Sequence, residues 1–279
     1  LLGLVGSEMC IRDRYCILFT MAKPITYFFR KCNPATSFVF LFIQFNLTNA
    51  ADSYESDIQK SNITFIGTRF NIIQNGDTPN RYIWLHGDEQ TARMALEYHI
   101  DRYGGIAFFI ESKTREIPFK STMIDPNRIF SRKGTYHALR KFKPDWQPGT
   151  LKEALDIIDV ERDSFLDVLM PSKSGVLISV HNNFRGYNVH MEKDKSQRVS
   201  IKSDQNPRDF IICTDSNDYD SLSDGPFNIV LQNTFPDHED GSLSWEALRR
   251  GVRYLNIETR LGYLTQQKKM LSFVESNLD

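Results

Sequence analysis

The feature that most constrains this chain is a set of short apolar runs with no polar face, spaced between stretches of helical periodicity. GVLISVHN (175–182), RDFIICT (208–214) and FNIVLQN (227–233) carry hydrophobic residues at consecutive positions instead of every second one. A strand of that kind is buried on both faces, which happens when helices cover the sheet. NITFIGTRFNII, RYIWLHG, GIAFFIES and VRYLNIET read as further strands. Between them, EQTARMALEYHIDRYG has apolar residues at helical spacing and closes at Gly104, and GTLKEALDIIDVERDSFLDVLMP stops at Pro171. The spacing of Thr150 and Glu153 predicts a capping box at the start of that second helix. LSWEALRRG and LTQQKKMLSFVESNL supply two more helices. Strands interleaved with helices over one core predict an α/β three-layer sandwich, with a mixed, mostly parallel sheet and helices on both faces.

The first fifty residues do not share this pattern. LVGSEMCIRDR (residues 4–14) resembles translated sequencing-adapter DNA, so residues 1–20 are expected to be adapter-derived and upstream sequence, outside any fold. From Met21, the segment MAKPITYFFRKC carries Lys23, Arg30 and Lys31 and no acid, and the apolar run FVFLFIQFNL follows. Ten apolar residues are too few to span roughly 30 Å of hydrocarbon as a helix. Small residues at Ala50 and Ala51 suit a signal-peptidase cut, so residues 21–51 read as a signal peptide and the mature protein as secreted or periplasmic. A buried core strand is the competing reading of that run.

Residues 52–279 then form a single domain long enough for a sizeable core. Removing five bases and two acids from the chain's 34 and 35 leaves 29 against 33, a net charge of −4, with no basic cluster of the kind nucleic acid requires. No nucleic-acid partner is expected, and no membrane partner for the mature form. Cys213 is the one cysteine of the segment and reads as a buried thiol.

Ligands of such sheets bind where strands end. His86, Glu89, His181 and Glu258 all lie at or just past predicted strand ends. A histidine three residues before a glutamate is weak alone, since a carboxylate at a helix entry is also explained by the positive helix terminus. Four motifs in order say more: HGDE at 86–89, IDPNRIF at 124–130, SVHNN at 179–183 and LNIETRLG at 255–262. Together they resemble the zinc carboxypeptidase superfamily, most closely its succinylglutamate desuccinylase and aspartoacylase branch.

The resemblance implies one zinc ion per chain held by His86, Glu89 and His181, with a fourth position open for water as catalytic zinc sites keep it. It implies that Asp125 orients His86, that Glu258 is the general base, and that Asn127 and Arg128 grip a substrate carboxylate. The branch's carbonyl-polarising arginine lies seven residues before the asparagine, a position occupied here by Lys120, so Arg115 is the candidate for that catalytic role. Pro126 and Ser179 also depart from the pattern, and Tyr187 or Tyr263 is a candidate phenolic partner. His181 as a core histidine, Glu258 paired with Arg253 or Arg260, and Arg128 as a surface charge are the structural alternatives. His99, His137, His190 and His238 have no ligand-like spacing and read as exposed or helical residues.

The function implied is an exported zinc hydrolase that cleaves an amide bond beside a free carboxylate, on a peptide or small-molecule substrate. A metal-free binding module on the same fold, or an exported esterase or deacylase of non-peptide substrates, are the rivals.

Overall fold

The computed structural model describes residues 58–278, apart from 184 and 185. The adapter-like segment and the signal-peptide reading lie outside the described residues. In chain order the elements are β1 (Gln59–Phe65), β2 (Thr68–Asn75), β3 (Arg81–Trp84), α1 (Gln90–Ile100), β4 (Gly105–Ile110), β5 (Ile117–Phe119), β6 (Thr122–Ile124), α2 (Arg132–Phe142), α3 (Pro148–Leu169), β7 (Leu177–Asn183), α4 (Val189–Glu192), β8 (Arg198–Ser200), β9 (Phe210–Cys213), α5 (Ser216–Ser223), β10 (Asn228–Leu231), α6 (Leu243–Arg249), β11 (Tyr254–Arg260) and α7 (Leu264–Asn277).

Nine strands form one sheet in the order β1-β2-β4-β3-β7-β11-β9-β10-β8, and β5 and β6 form a separate hairpin. The apolar runs are buried as expected, β7, β9 and β10 along their whole length, although one face of β7 proves to be polar. The sheet is mixed but not mostly parallel. Four pairings are parallel, β4-β3, β3-β7, β7-β11 and β9-β10, and four are antiparallel. Sequence periodicity reports burial, not strand direction, which is why the balance was not legible. None of the described helices is long and apolar enough to cross a membrane.

Two local expectations are corrected. NITFIGTRFNII is a hairpin, not one strand: Phe65 pairs with Thr68 across Ile66 and Gly67, both at positive φ (45° and 78°). Two positive φ values match the right-handed twist of the flanking strands. For a β-branched isoleucine this backbone is costly, and Ile66 is held there by burial of its side chain and by its N–H, which donates to Glu161 Oε2 at 2.6 Å. The capping box of α3 is absent. The helix starts at Pro148 behind Gln147, Thr150 Oγ1 donates to the Gln147 carbonyl, and Glu153 pairs with Lys120. Proline fits the first helical turn, where its missing N–H costs nothing, so it sets the boundary before Thr150 can.

Because β3, β7 and β11 run parallel, their C-terminal ends lie together. β7 and β11 are in register, with Ser179 opposite Asn256 and His181 opposite Glu258. β9 runs against β11 and brings its first residue, Phe210, beside Glu258. That shared end of the central strands is where the polar residues of these apolar strands collect.

Candidate functional site

β3 stops at Trp84, and the chain turns through His86, Gly87 and Asp88 before α1 begins at Gln90. Gly87 is required by crowding: a Cβ there would sit 2.3 Å from the Ser112 carbonyl oxygen. Its N–H donates to the Thr114 carbonyl at 3.1 Å, so the turn is clamped to the loop that carries Arg115. Glu89 is fixed at both ends. Trp84 Nε1 donates to its carbonyl at 3.0 Å, and the Asn182 N–H donates to its Oε2 at 3.1 Å. Asn182 Oδ1 in turn accepts from the Ala92 N–H in the first turn of α1 at 2.7 Å.

The result is a convergence of three buried side chains from distant parts of the chain. His86 Nδ1 is 2.9 Å from Glu89 Oε1, His181 Nδ1 is 3.0 Å from Glu89 Oε2, and the two Nδ1 atoms are 3.3 Å apart. Among the described residues, this trio offers one ligand atom each within 4.8 Å of one another. Two nitrogens bound tetrahedrally at about 2.0–2.1 Å to one zinc ion lie about 3.3 Å apart. The spacing fits, and so does the chemistry, because two imidazole lone pairs aimed at the same point repel unless a proton or a cation lies between them.

Electrostatics point the same way. Burial alone would lower the His86 pKa, but the Glu89 and Asp125 carboxylates outweigh it and raise it to about 9. Burial would raise Glu89, and the two histidines outweigh it and hold the carboxyl far below its usual range. Asp125 is likewise held low, against burial, first by His86 and then by Arg115 and Arg128. The centre of the cluster is therefore arranged to accept positive charge. Asp125 Oδ1 lies 2.8 Å from His86 Nε2, which fixes that ring with Nδ1 facing the cluster. His181 Nε2 is buried and makes no hydrogen bond, so Asp125 has no counterpart on the second histidine.

The cluster opens into a cavity of about 330 Å³. Glu258 reaches its wall from β11, nearly buried, with Asn183 Nδ2 at 3.3 Å and Asn256 Nδ2 at 3.4 Å from its two oxygens. Burial raises its pKa more than His181 and these donors lower it. The alternative partners are engaged elsewhere, since Arg253 binds Asp218 and Arg260 binds Asp209. Arg115 lies against the cluster, its Nη1 donating to Glu89 Oε1 at 2.8 Å and its Nε 3.4 Å from Asp125 Oδ2. Lys120, at the tip of the β5-β6 hairpin, points away to Glu153.

Asn127 and Arg128 form a 3-10 turn behind Asp125, and both line the cavity. The Leu243 N–H donates to Asn127 Oδ1 at 3.0 Å, which ties the turn to the start of α6 and leaves the Asn127 amide nitrogen as its donor. Arg128 is half-exposed, with Nη1 on the Asn127 carbonyl at 2.7 Å and Nη2 at 3.5 Å from Asp240. Tyr187 lines the cavity; Tyr263 is exposed beneath the Arg260 guanidinium and does not. His137, His190 and His238 are exposed, whereas His99 is helical but buried, stacked on Tyr103 and 3.3 Å from Glu275.

Sequence reasoning missed several wall residues, among them Asn183, Glu192, Gln232, Tyr254 and Asn256. For two strands a signal existed. Ser179, His181 and Asn183 share one face of β7, and Tyr254, Asn256 and Glu258 share one face of β11, so a polar alternation runs inside the apolar runs. Glu192 and Gln232 reach the cavity from α4 and from just past β10, for which no such pattern existed.

No protein-family model matches the sequence, and no curated protein matches it. Among solved structures, three candidate metallopeptidases of Shewanella species align with it. That of S. denitrificans OS217 has a TM-score of 0.42 at 11% identity, over 79% of this chain and 82% of the other. Those of S. amazonensis SB2B and S. baltica OS155 both have 0.41, at 12% and 14% identity, over 79% of this chain and 85% of theirs.

Proposed function

We propose that this chain is an exported zinc hydrolase that cleaves an amide bond adjacent to a free carboxylate, on a three-layer scaffold of the zinc carboxypeptidase kind and nearest the succinylglutamate desuccinylase and aspartoacylase branch. The observation that carries the reading is the convergence of His86 Nδ1, His181 Nδ1 and the Glu89 carboxylate at the floor of a cavity, with Glu258 on the neighbouring strand. Zinc held by those three residues supplies Lewis acidity and lowers the pKa of water to about 7.

The chain's own groups do the rest. Arg128 and the Asn127 amide bind the substrate carboxylate, the guanidinium matching it in a bidentate pair. That contact fixes the scissile bond over the cluster. Arg115, charged and lining the cavity beside Glu89, donates to the carbonyl oxygen as negative charge develops there. Glu258 removes a proton from the attacking water and delivers it to the leaving nitrogen, so the amide and water become a carboxylic acid and an amine with no other reactant. Asp125 keeps the His86 ring in the orientation the cluster needs.

The test uses purified protein stripped by a chelator and resupplied with zinc, assayed against N-acyl amino acids, peptides with free C-termini and their C-terminal amides. Zinc-dependent cleavage of the free acids is expected. A protein fully loaded with zinc that cleaves none of them contradicts the proposal. Export rests on the sequence alone: expression from Met21 in a bacterium should release a chain that begins near Ala51 or Asp52, and an intact Met21 start on protein confined to the cytoplasm would refute it.

A further inference from the structure

The start of α1 sets two demands on one carboxylate. Glu89 occupies the N-cap, directly beside the N–H groups that open the helix without an intrahelical acceptor. A carboxylate there is drawn to those groups by hydrogen bonding and by the positive end of the helix dipole. Yet the Glu89 side chain makes no capping bond, and its two oxygens face His86 and His181 instead.

The bond that would draw it back is made from β7. Asn182 Oδ1 accepts at 2.7 Å from the N–H of Ala92, the third residue of α1, across 90 positions of sequence. The Asn182 backbone N–H meanwhile donates to Glu89 Oε2 at 3.1 Å. One residue thus occupies the capping N–H of the helix and offers the carboxylate another donor on the side of the cluster.

The Asn182 amide can do this in one orientation, and α7 helps to set it. Gln267, a fully buried residue of α7, donates from Nε2 to the His181 carbonyl at 3.0 Å. A carbonyl can only accept, so Gln267 Oε1 must face Asn182, from whose Nδ2 it accepts at 2.9 Å. The His181 and Thr259 carbonyls lie 3.2 and 3.3 Å from the same Nδ2, which leaves Oδ1 toward Ala92. Asn182 is 2% exposed, so water is poorly placed to replace it at the helix end, and a buried N–H without an acceptor is costly.

We propose that Asn182 is a positioning residue of the metal cluster: by capping α1 in place of Glu89 it leaves that carboxylate free to be a ligand, and Gln267 holds Asn182 in the orientation this needs. The inference rests on the metal-site reading above and extends the site to α7, none of whose residues lines the cavity.

The experiment measures zinc dissociation constants by competition with a chromophoric chelator, at a temperature where circular dichroism shows each variant folded. Asn182→Leu, similar in volume but unable to cap, should weaken zinc binding at least about tenfold, the low end for the partners of a metal ligand, as the freed Ala92 N–H draws Glu89 back. Gln267→Leu should weaken it in the same direction and by less, because two carbonyls still hold the Asn182 amide. Both losses should all but vanish in a Glu89→Ala background, since the effect runs through Glu89, whereas a general loosening of the fold would persist there. Should Asn182→Leu not fold, Gln267→Leu carries the same comparison. Zinc affinity of folded Asn182→Leu within about threefold of wild type, short of the range for such partners, or losses undiminished in the Glu89→Ala background, overturn the positioning role and leave the metal site standing. No zinc binding by folded wild-type protein overturns the metal site, and the positioning role with it.

Discussion

Replacing Glu258 by glutamine should move activity and stability in opposite directions, and the structure gives the reason for both. The glutamine keeps the shape of a side chain that is 7% exposed, but it cannot take a proton. Loss of a positioned acid–base group costs on the order of 10² to 10⁴ in turnover, about 2.7–5.4 kcal/mol at 1.36 kcal/mol per decade. The loss should appear in kcat, because Arg128 and Asn127 bind the substrate in the variant as before. Stability of the metal-free protein should hold or rise. Among the described residues the buried Glu258 carboxylate has two long hydrogen bonds, both from neutral amides, and its pKa is raised by that burial. A folded-state pKa above the unfolded one means a contribution fully present below the unfolded value and lost as pH rises through the folded value. Above the unfolded value, neutral pH included, the raised pKa therefore works against folding, and the amide removes that penalty. Asn183 cannot flip, since its Oδ1 accepts from Arg208 Nε at 2.9 Å, so the new Oε1 meets Asn183 Nδ2, and the new amide nitrogen faces Asn256, whose amide flips to present its oxygen in place of Nδ2. The assay is kcat and KM of zinc-loaded protein, with urea midpoints of chelated protein at neutral and acid pH. A variant within about threefold of wild-type kcat, well short of the range for such a group, refutes the catalytic role. A metal-free variant clearly less stable at neutral pH refutes the electrostatic argument.

Two further outcomes follow from other parts of the molecule. Arg128→Ala should weaken binding of free-acid substrates by roughly 2–5 kcal/mol, the range for a charge pair buried on binding, and should change binding of C-terminal amides far less; equal losses for both would remove Arg128 from the substrate grip. On the side of α1 and α7, burial raises the Glu275 pKa, but hydrogen bonds from His99 and the Tyr82 hydroxyl, at 3.3 and 2.8 Å, outweigh it and lower it. A lowered carboxyl contributes stability above its unfolded pKa and loses it as pH falls through the folded value. Glu275→Gln should thus destabilise by about 1–3 kcal/mol at pH 7 and by less in strong acid, as read from urea melts, and a difference that grows on acidification would show the sign to be wrong.

The convergence of His86, Glu89 and His181 was legible in the sequence because the first two follow the end of one apolar strand and the third lies near the end of another. His86 and Glu89 also lie three residues apart, close enough for one turn to hold both. The resemblance of DPNR to a known motif located Asp125, Asn127 and Arg128, but not the link from Asn127 to Leu243, which spans 116 positions. Contacts at that range leave no trace in local pattern. The β5-β6 hairpin went unread because its strands are three residues long, too short for any periodicity. α2 and α5 were passed over for another reason: both are polar on average, so packing on the fold decides them where propensity does not.

The claim on which the rest depends is that His86, Glu89 and His181 hold one metal ion, and metal content tests it without knowledge of any substrate. Protein purified after exposure to zinc and exhaustive dialysis should retain about one zinc per chain, and His181→Ala should lose most of it while keeping its fold, since a three-ligand site deprived of one nitrogen binds far more weakly. A folded wild-type protein that retains no zinc, or a His181→Ala protein that retains as much as wild type, would contradict the account.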